Sequence, residues 1–128
     1  MLLLDTCVLY WLASDQSKLS ARAGEFLRSH ASSLCASAIS GFEVAINHTK
    51  GRVVLPSDPQ VWFGTLLGRY RIDCLPVTWE IAISSVALPR IHSDPADRII
   101  VATAKLFGIE VLTPDHLIAA YPTIQVVW

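Results

Sequence analysis

The chain has 128 residues, 52% of them hydrophobic and 16% charged, which is enough for one domain with a sizeable core and excludes a disordered chain. A formal net charge of −1 excludes a protein that coats nucleic acid indiscriminately, so any nucleic-acid contact must be local and short. No apolar run approaches the roughly 18–20 residues that span a bilayer. Met1 leads straight into Leu2, Leu3, Leu4 and Asp5, with no basic stretch and no small-residue cleavage site, so a cytoplasmic protein with no membrane association is expected. The three cysteines, Cys7, Cys35 and Cys74, lie far apart without a CxxC pair, which fits buried thiols in a reducing compartment.

In chain order, Leu2 to Leu4 reads as a buried parallel strand with Asp5 at its carboxyl end. Thr6 to Ala13 reads as a helix, with Val8, Leu9 and Leu12 at helical spacing, and Ser20 caps a second helix from Ala21 to His30. Leu34 to Ser37 is a second strand. The segment Ser40-Gly41-Phe42-Glu43 precedes a helix ending near Lys50 and Gly51, and Asp58-Pro59 starts another that runs to Tyr70. Ile72 to Val77 is a third strand, and Thr78 caps the helix Trp79 to Leu88. Asp94-Pro95 opens a helix to Phe107 with Gly108 at its end. Ile109 to Leu112 is a fourth strand, Thr113-Pro114-Asp115 a further joint before a short helix, and Ile124 to Val127 a last strand. Short apolar strands alternating with helices imply an α/β fold with a mainly parallel sheet.

In such a sheet, ligands gather outside the carboxyl ends of the strands. Asp5 and Asp115 follow strands directly, Glu43 lies one turn into the helix after the second strand, and Asp97 lies in the first turn of its helix, so all four map to one edge. Each also has a capping reading. Ser40-x-x-Glu43 fits a capping box, Asp94-Pro95-x-Asp97 an N-cap with an acid at the third helical position, and Asp115 can cap the helix it opens. Four carboxylates on one edge repel one another unless a cation lies between them. Oxygen ligands with no His or Cys at ligand spacing suit Mg²⁺ or Mn²⁺, and such a site activates water and stabilises an in-line phosphoryl displacement. Thr6 and Thr113, beside Asp5 and Asp115, orient an acid or a metal-bound water, or simply cap.

His48, His92 and His116 are scattered, and surface or packing roles are expected for them. Lys50, Arg52, Arg69, Arg71 and Arg90 either border a substrate groove or sit on a solvated surface. Trp11, Trp62, Trp79 and Trp128 read as core or dimer contacts. There is no glycine-rich phosphate loop. A receiver-type phosphotransfer domain needs an adjacent acid pair after its first strand and a lysine ending its last; a dehalogenase-type phosphatase needs a second acid two residues after the first, where Cys7 stands.

Taken in order, Leu2-Leu3-Leu4-Asp5-Thr6, Ser37-Ala38-Ile39-Ser40-x-x-Glu43, His92-x-Asp94-Pro95-x-Asp97-Arg98 running into Ile99 to Ala104, and Thr113-x-Asp115 resemble the PIN-domain ribonucleases, above all the VapC-type toxins of toxin–antitoxin pairs. The resemblance covers essentially the whole chain. It implies a three-layer α/β/α PIN fold with a sheet of four to five strands, and an Mg²⁺-dependent endoribonuclease that forms a homodimer and is inhibited by a small antitoxin. It also implies that Asp5, Glu43, Asp97 and Asp115 form an acidic quartet, with Asp5, Asp97 and Asp115 on the metal. Asp94 then belongs to a subgroup motif and either orients Arg98 or caps its helix. The competing expectation is a non-catalytic PIN scaffold that binds RNA or a protein partner.

Overall fold

A computed structural model describes all residues, Met1–Trp128. Five parallel strands form the sheet: β1 (Leu2–Leu4), β2 (Leu34–Ser37), β3 (Asp73–Leu75), β4 (Glu110–Leu112) and β5 (Val126–Val127). Their order is β3-β2-β1-β4-β5, with Leu3 in register with Cys35 on one side and with Val111 on the other. The sheet is wholly rather than mainly parallel. The third strand is shorter than Ile72 to Val77 because it is the edge strand, and Asp73 and Cys74 are exposed.

Seven helices connect the strands: α1 (Thr6–Ser14), α2 (Ala21–Ser29), α3 (Ala38–Thr49), α4 (Pro59–Tyr70), α5 (Trp79–Ala87), α6 (Pro95–Phe107) and α7 (His116–Ala119). Strand side chains alternate between faces, and the core divides accordingly. Leu2, Leu4, Leu34, Ala36 and Leu112 pack with Val8, Leu9 and Leu12 of α1, Ala23 of α2 and Leu66 of α4. Leu3, Cys35 and Val111 pack on the opposite face with Ile81 of α5, Ile100, Val101 and Ala104 of α6, and Ile118 of α7. This is the expected three-layer α/β/α arrangement.

The strongest local signals act where the sequence places them. Asp94 caps α6 with Pro95 at its first turn, and Gly108 ends it in the left-handed region at φ 64°, where a side chain would be strained. Ser37, not Ser40, caps α3: its hydroxyl accepts from Ile39 N–H, so the helix begins earlier than the Ser40-x-x-Glu43 pattern suggests. Glu43 therefore lies in the second turn, and Ser40 is a fully buried helix residue instead of a cap.

From β1 the chain winds outward through β2 and β3, then returns to place β4 on the other flank of β1. The crevice at that reversal, outside the carboxyl ends of β1 and β4, is where open parallel sheets take ligands. No helix is long and apolar enough to cross a membrane.

Candidate active site

Asp5 lies at the reversal and is 5% exposed. Its backbone N–H still pairs with Leu112 O, so the end of β1 is tied to β4 up to the carboxylate itself. Oδ1 accepts from Thr6 N–H at 2.7 Å and caps α1, while Oδ2 accepts from the buried Thr113 hydroxyl at 2.7 Å and from the Cys7 thiol at 3.6 Å. Burial raises the Asp5 carboxyl above the usual range despite the hydrogen bonds from Thr113 and Thr6, and the Asp115 charge adds to the rise. Burial likewise pushes the Cys7 thiol far up, so it stays protonated.

Asp115 has the same two-sided construction. Oδ1 caps α7 by accepting from Leu117 N–H at 2.8 Å and Ile118 N–H at 3.4 Å; Oδ2 meets His92 Nε2 at 3.0 Å. Burial pushes this carboxyl up, but the His92 hydrogen bond and the two amides outweigh burial and hold it below the usual range. Thr113 joins the two acids, since its oxygen also accepts from Asp115 N–H at 3.0 Å.

Asp97 enters from the first turn of α6, and its Oδ2 lies 2.9 Å from His92 Nε2. Burial and the neighbouring charges of Asp5 and Glu43 raise its carboxyl strongly. Glu43 reaches in from α3 and accepts from the Thr6 hydroxyl at 2.5 Å. Since Thr6 has one proton to donate, the Ser40 hydroxyl at 2.9 Å is the donor in the Ser40–Thr6 contact. Burial pushes Glu43 up to about 7, with the Asp5 charge adding to the rise and the Thr6 bond opposing it.

The four acids of the expected quartet thus come from the ends of β1 and β4 and from the sides of α3 and α6. Ligand atoms of His92, Asp97 and Asp115 lie within 4.8 Å of one another, as do those of Glu43, Asp94 and Asp97. Asp97 belongs to both groups, and the carboxylate oxygens fit a hard divalent cation such as Mg²⁺ or Mn²⁺.

One expectation is corrected here, and of the two roles expected for Asp94 the capping one holds. His92 is no surface histidine: its side chain is 10% exposed and stands between Asp97 and Asp115. The available signal was its place in the same joint, two residues before Asp94, which marks it as part of the loop that delivers α6 to the site. Asp94 does not orient Arg98. It caps α6 through Ala96 N–H, while the Arg98 guanidinium donates to the carbonyls of Val86, Leu88, Pro89 and His92 and to the Tyr121 hydroxyl. Ser40 and Tyr121 support the site and carry no sequence signal of doing so.

Two clefts adjoin these residues, one at His92 and one at Glu43 and Asp94. One of about 510 Å³ is lined in part by Arg90, His92, Ser93 and Leu117; the other, of about 260 Å³, by Glu43, Asn47, Arg52 and Asp94. Of the basic residues considered as groove borders, Arg52 and Arg90 therefore lie beside the site.

A family model described as PIN domain matches residues 2–123. The chain is 34% identical to Ribonuclease VapC22 of Mycobacterium tuberculosis, over 98% of this chain and 97% of that protein. It superposes on a toxin–antitoxin complex from Klebsiella pneumoniae with a TM-score of 0.68 at 26% identity, covering 100% of this chain and 97% of the other. A VapBC2 structure from Rickettsia felis bound to a promoter DNA fragment shares the fold, with a TM-score of 0.73 at 12% identity over 98% and 96% of the two chains. With the sheet order and the acidic crevice, these matches place the chain in the PIN-domain family.

Proposed function

We propose that the protein is a metal-dependent endoribonuclease of VapC type, the toxin of a toxin–antitoxin pair. The gathering of Glu43 and Asp115 around Asp97, with the Asp5 charge helping to raise both Asp97 and Glu43, carries this reading. Such a cluster is stable when fully ionised only with a cation among the carboxylates. The similarity to Ribonuclease VapC22 supports RNA as the substrate.

Asp5, Asp97 and Asp115 would hold an Mg²⁺ or Mn²⁺ ion, which would supply water activation and charge stabilisation at the scissile phosphate. Thr113 orients Asp5, and Thr6 orients Glu43, whose carboxylate positions the attacking water. The cleft beside Arg90 and the one beside Arg52 take the RNA strand on either side of the scissile bond, and their guanidinium groups meet the flanking phosphates. By similarity to the Klebsiella complex, the chain pairs with a small antitoxin. The exposed Trp79, Ile83 and Val86 along one side of α5 suit a protein contact such as a homodimer interface.

Incubating RNA with the protein in Mg²⁺, and then in EDTA, tests the reading. Wild type cleaves in Mg²⁺ only, and Asp5→Asn does not cleave. Cleavage that survives EDTA or the substitution overturns the acidic-site mechanism, and intact RNA across many substrates makes the protein a binding scaffold.

A further inference from the structure

His92 belongs to a group that looks like a His/Asp/Asp metal site, but its hydrogen bonds give it another role. The backbone N–H of Asp94 donates to His92 Nδ1 at 3.1 Å. An imidazole nitrogen that accepts a hydrogen bond carries no proton, so the ring proton is on Nε2. Nε2 bonds to Asp115 Oδ2 at 3.0 Å, and the same nitrogen lies 2.9 Å from Asp97 Oδ2. A protonated nitrogen has no lone pair for a metal. Histidines that bind metals show the opposite arrangement, in which the nitrogen away from the metal donates.

We propose that His92 is a positioning residue that clamps Asp97 and Asp115 together as the Nε2–H tautomer and never ligates the ion. This inference rests on the metal-dependent ribonuclease reading. The two acids arrive on separate helices, α6 and α7, and nothing in the local sequence of either fixes the spacing between them. The Nε2–H bond to Asp115 Oδ2, with Asp97 Oδ2 packed against the same nitrogen, fixes that spacing. The residue is itself held at three points: the ring by Asp94 N–H on Nδ1, and the backbone by the Tyr121 hydroxyl accepting from His92 N–H at 3.0 Å and by Arg98 donating to His92 O at 3.2 Å. A histidine that merely filled space would not need its outer nitrogen directed between two carboxylates.

Nitrogen-15 NMR of the wild-type imidazole tests the tautomer directly, without relying on activity. The Nε2–H form is expected in EDTA and again in Mg²⁺; an Nδ1–H form in Mg²⁺ means that Nε2 ligates the ion and overturns the proposal. The paired variants are His92→Gln and His92→Asn, because a glutamine amide nitrogen reaches the place of Nε2 and an asparagine amide only that of Nδ1. His92→Asn is expected to lower Mn²⁺ affinity and kcat by about 10–100-fold with the KM for RNA unchanged, and His92→Gln to recover most of the loss. An Asn variant that binds and cleaves like wild type, or a Gln variant as impaired as Asn, refutes the clamp. If wild type shows no metal-dependent cleavage, the ribonuclease reading is what fails, and the metal-free spectrum still decides the tautomer.

Discussion

Thr113 donates its hydroxyl proton to Asp5 Oδ2 at 2.7 Å across 108 residues of sequence, and accepts from Asp115 N–H with the same oxygen. One side chain at the end of β4 thus sets the position of the acid ending β1 and of the acid opening α7. Thr113→Val keeps the shape and removes both bonds. It is expected to cost about 1–3 kcal/mol of stability, because a buried carboxylate loses a partner, and to weaken Mg²⁺ binding. Chemical denaturation and calorimetric titration measure the two effects. A variant with wild-type stability would mean that Asp5 is oriented by Thr6 N–H alone.

Glu43 titrates near pH 7 in the fold against an ordinary value of 4.5, and the buried Asp5 and Asp97 are shifted the same way. Between those pH values the folded protein holds more protons than the unfolded chain, so metal-free stability falls as pH rises from about 4.5 to about 7. Asp115, with its lowered carboxyl, acts oppositely and only in more acidic solution. In EDTA, the melting temperature should be higher at pH 5 than at pH 8. Mg²⁺ should restore it at pH 8 and have little effect at pH 5, because the ligands must first lose their protons. Equal melting temperatures in EDTA at the two pH values would contradict the raised carboxyls.

Arg98 binds no carboxylate. Its guanidinium gathers the carbonyls of Val86, Leu88, Pro89 and His92, which fixes the turn between α5 and α6 and the backbone of the clamp residue. Arg98→Lys keeps the charge but not the planar fork. A loss of about 1–3 kcal/mol is expected from the abandoned carbonyls, with faster amide exchange across residues 86–92. Unchanged exchange there would show that the turn holds itself.

Arg52 and Arg90 border separate clefts without pairing with the acids. Replacing either with Ala should raise the KM for RNA several-fold, leave kcat close to wild type and flatten the salt dependence of binding. A fall in kcat with KM constant would place these residues in the chemistry instead.

The sequence by itself determined the element order and the three-layer class, and marked the four acids as candidates. Those signals are local: apolar runs of strand length, Asp94-Pro95 and Gly108 bounding α6, and the acids Asp5 and Asp115 at strand-to-helix joints. It could not separate capping from convergence, because both place an acid at the same position. The tertiary structure shows that Asp5 and Asp115 each cap their own helix with Oδ1 and meet a residue from another element with Oδ2, Thr113 for Asp5 and His92 for Asp115. Only the fold decided the supporting partners. Ser40 reads as a cap until α3 is seen to begin at Ala38, and it then supports Thr6 instead. His92 reads as a lone histidine until α6 and α7 bring Asp97 and Asp115 to the same ring nitrogen. A hydrogen bond between residues far apart in sequence leaves no periodicity or composition to read, because it exists only once β4 has paired beside β1.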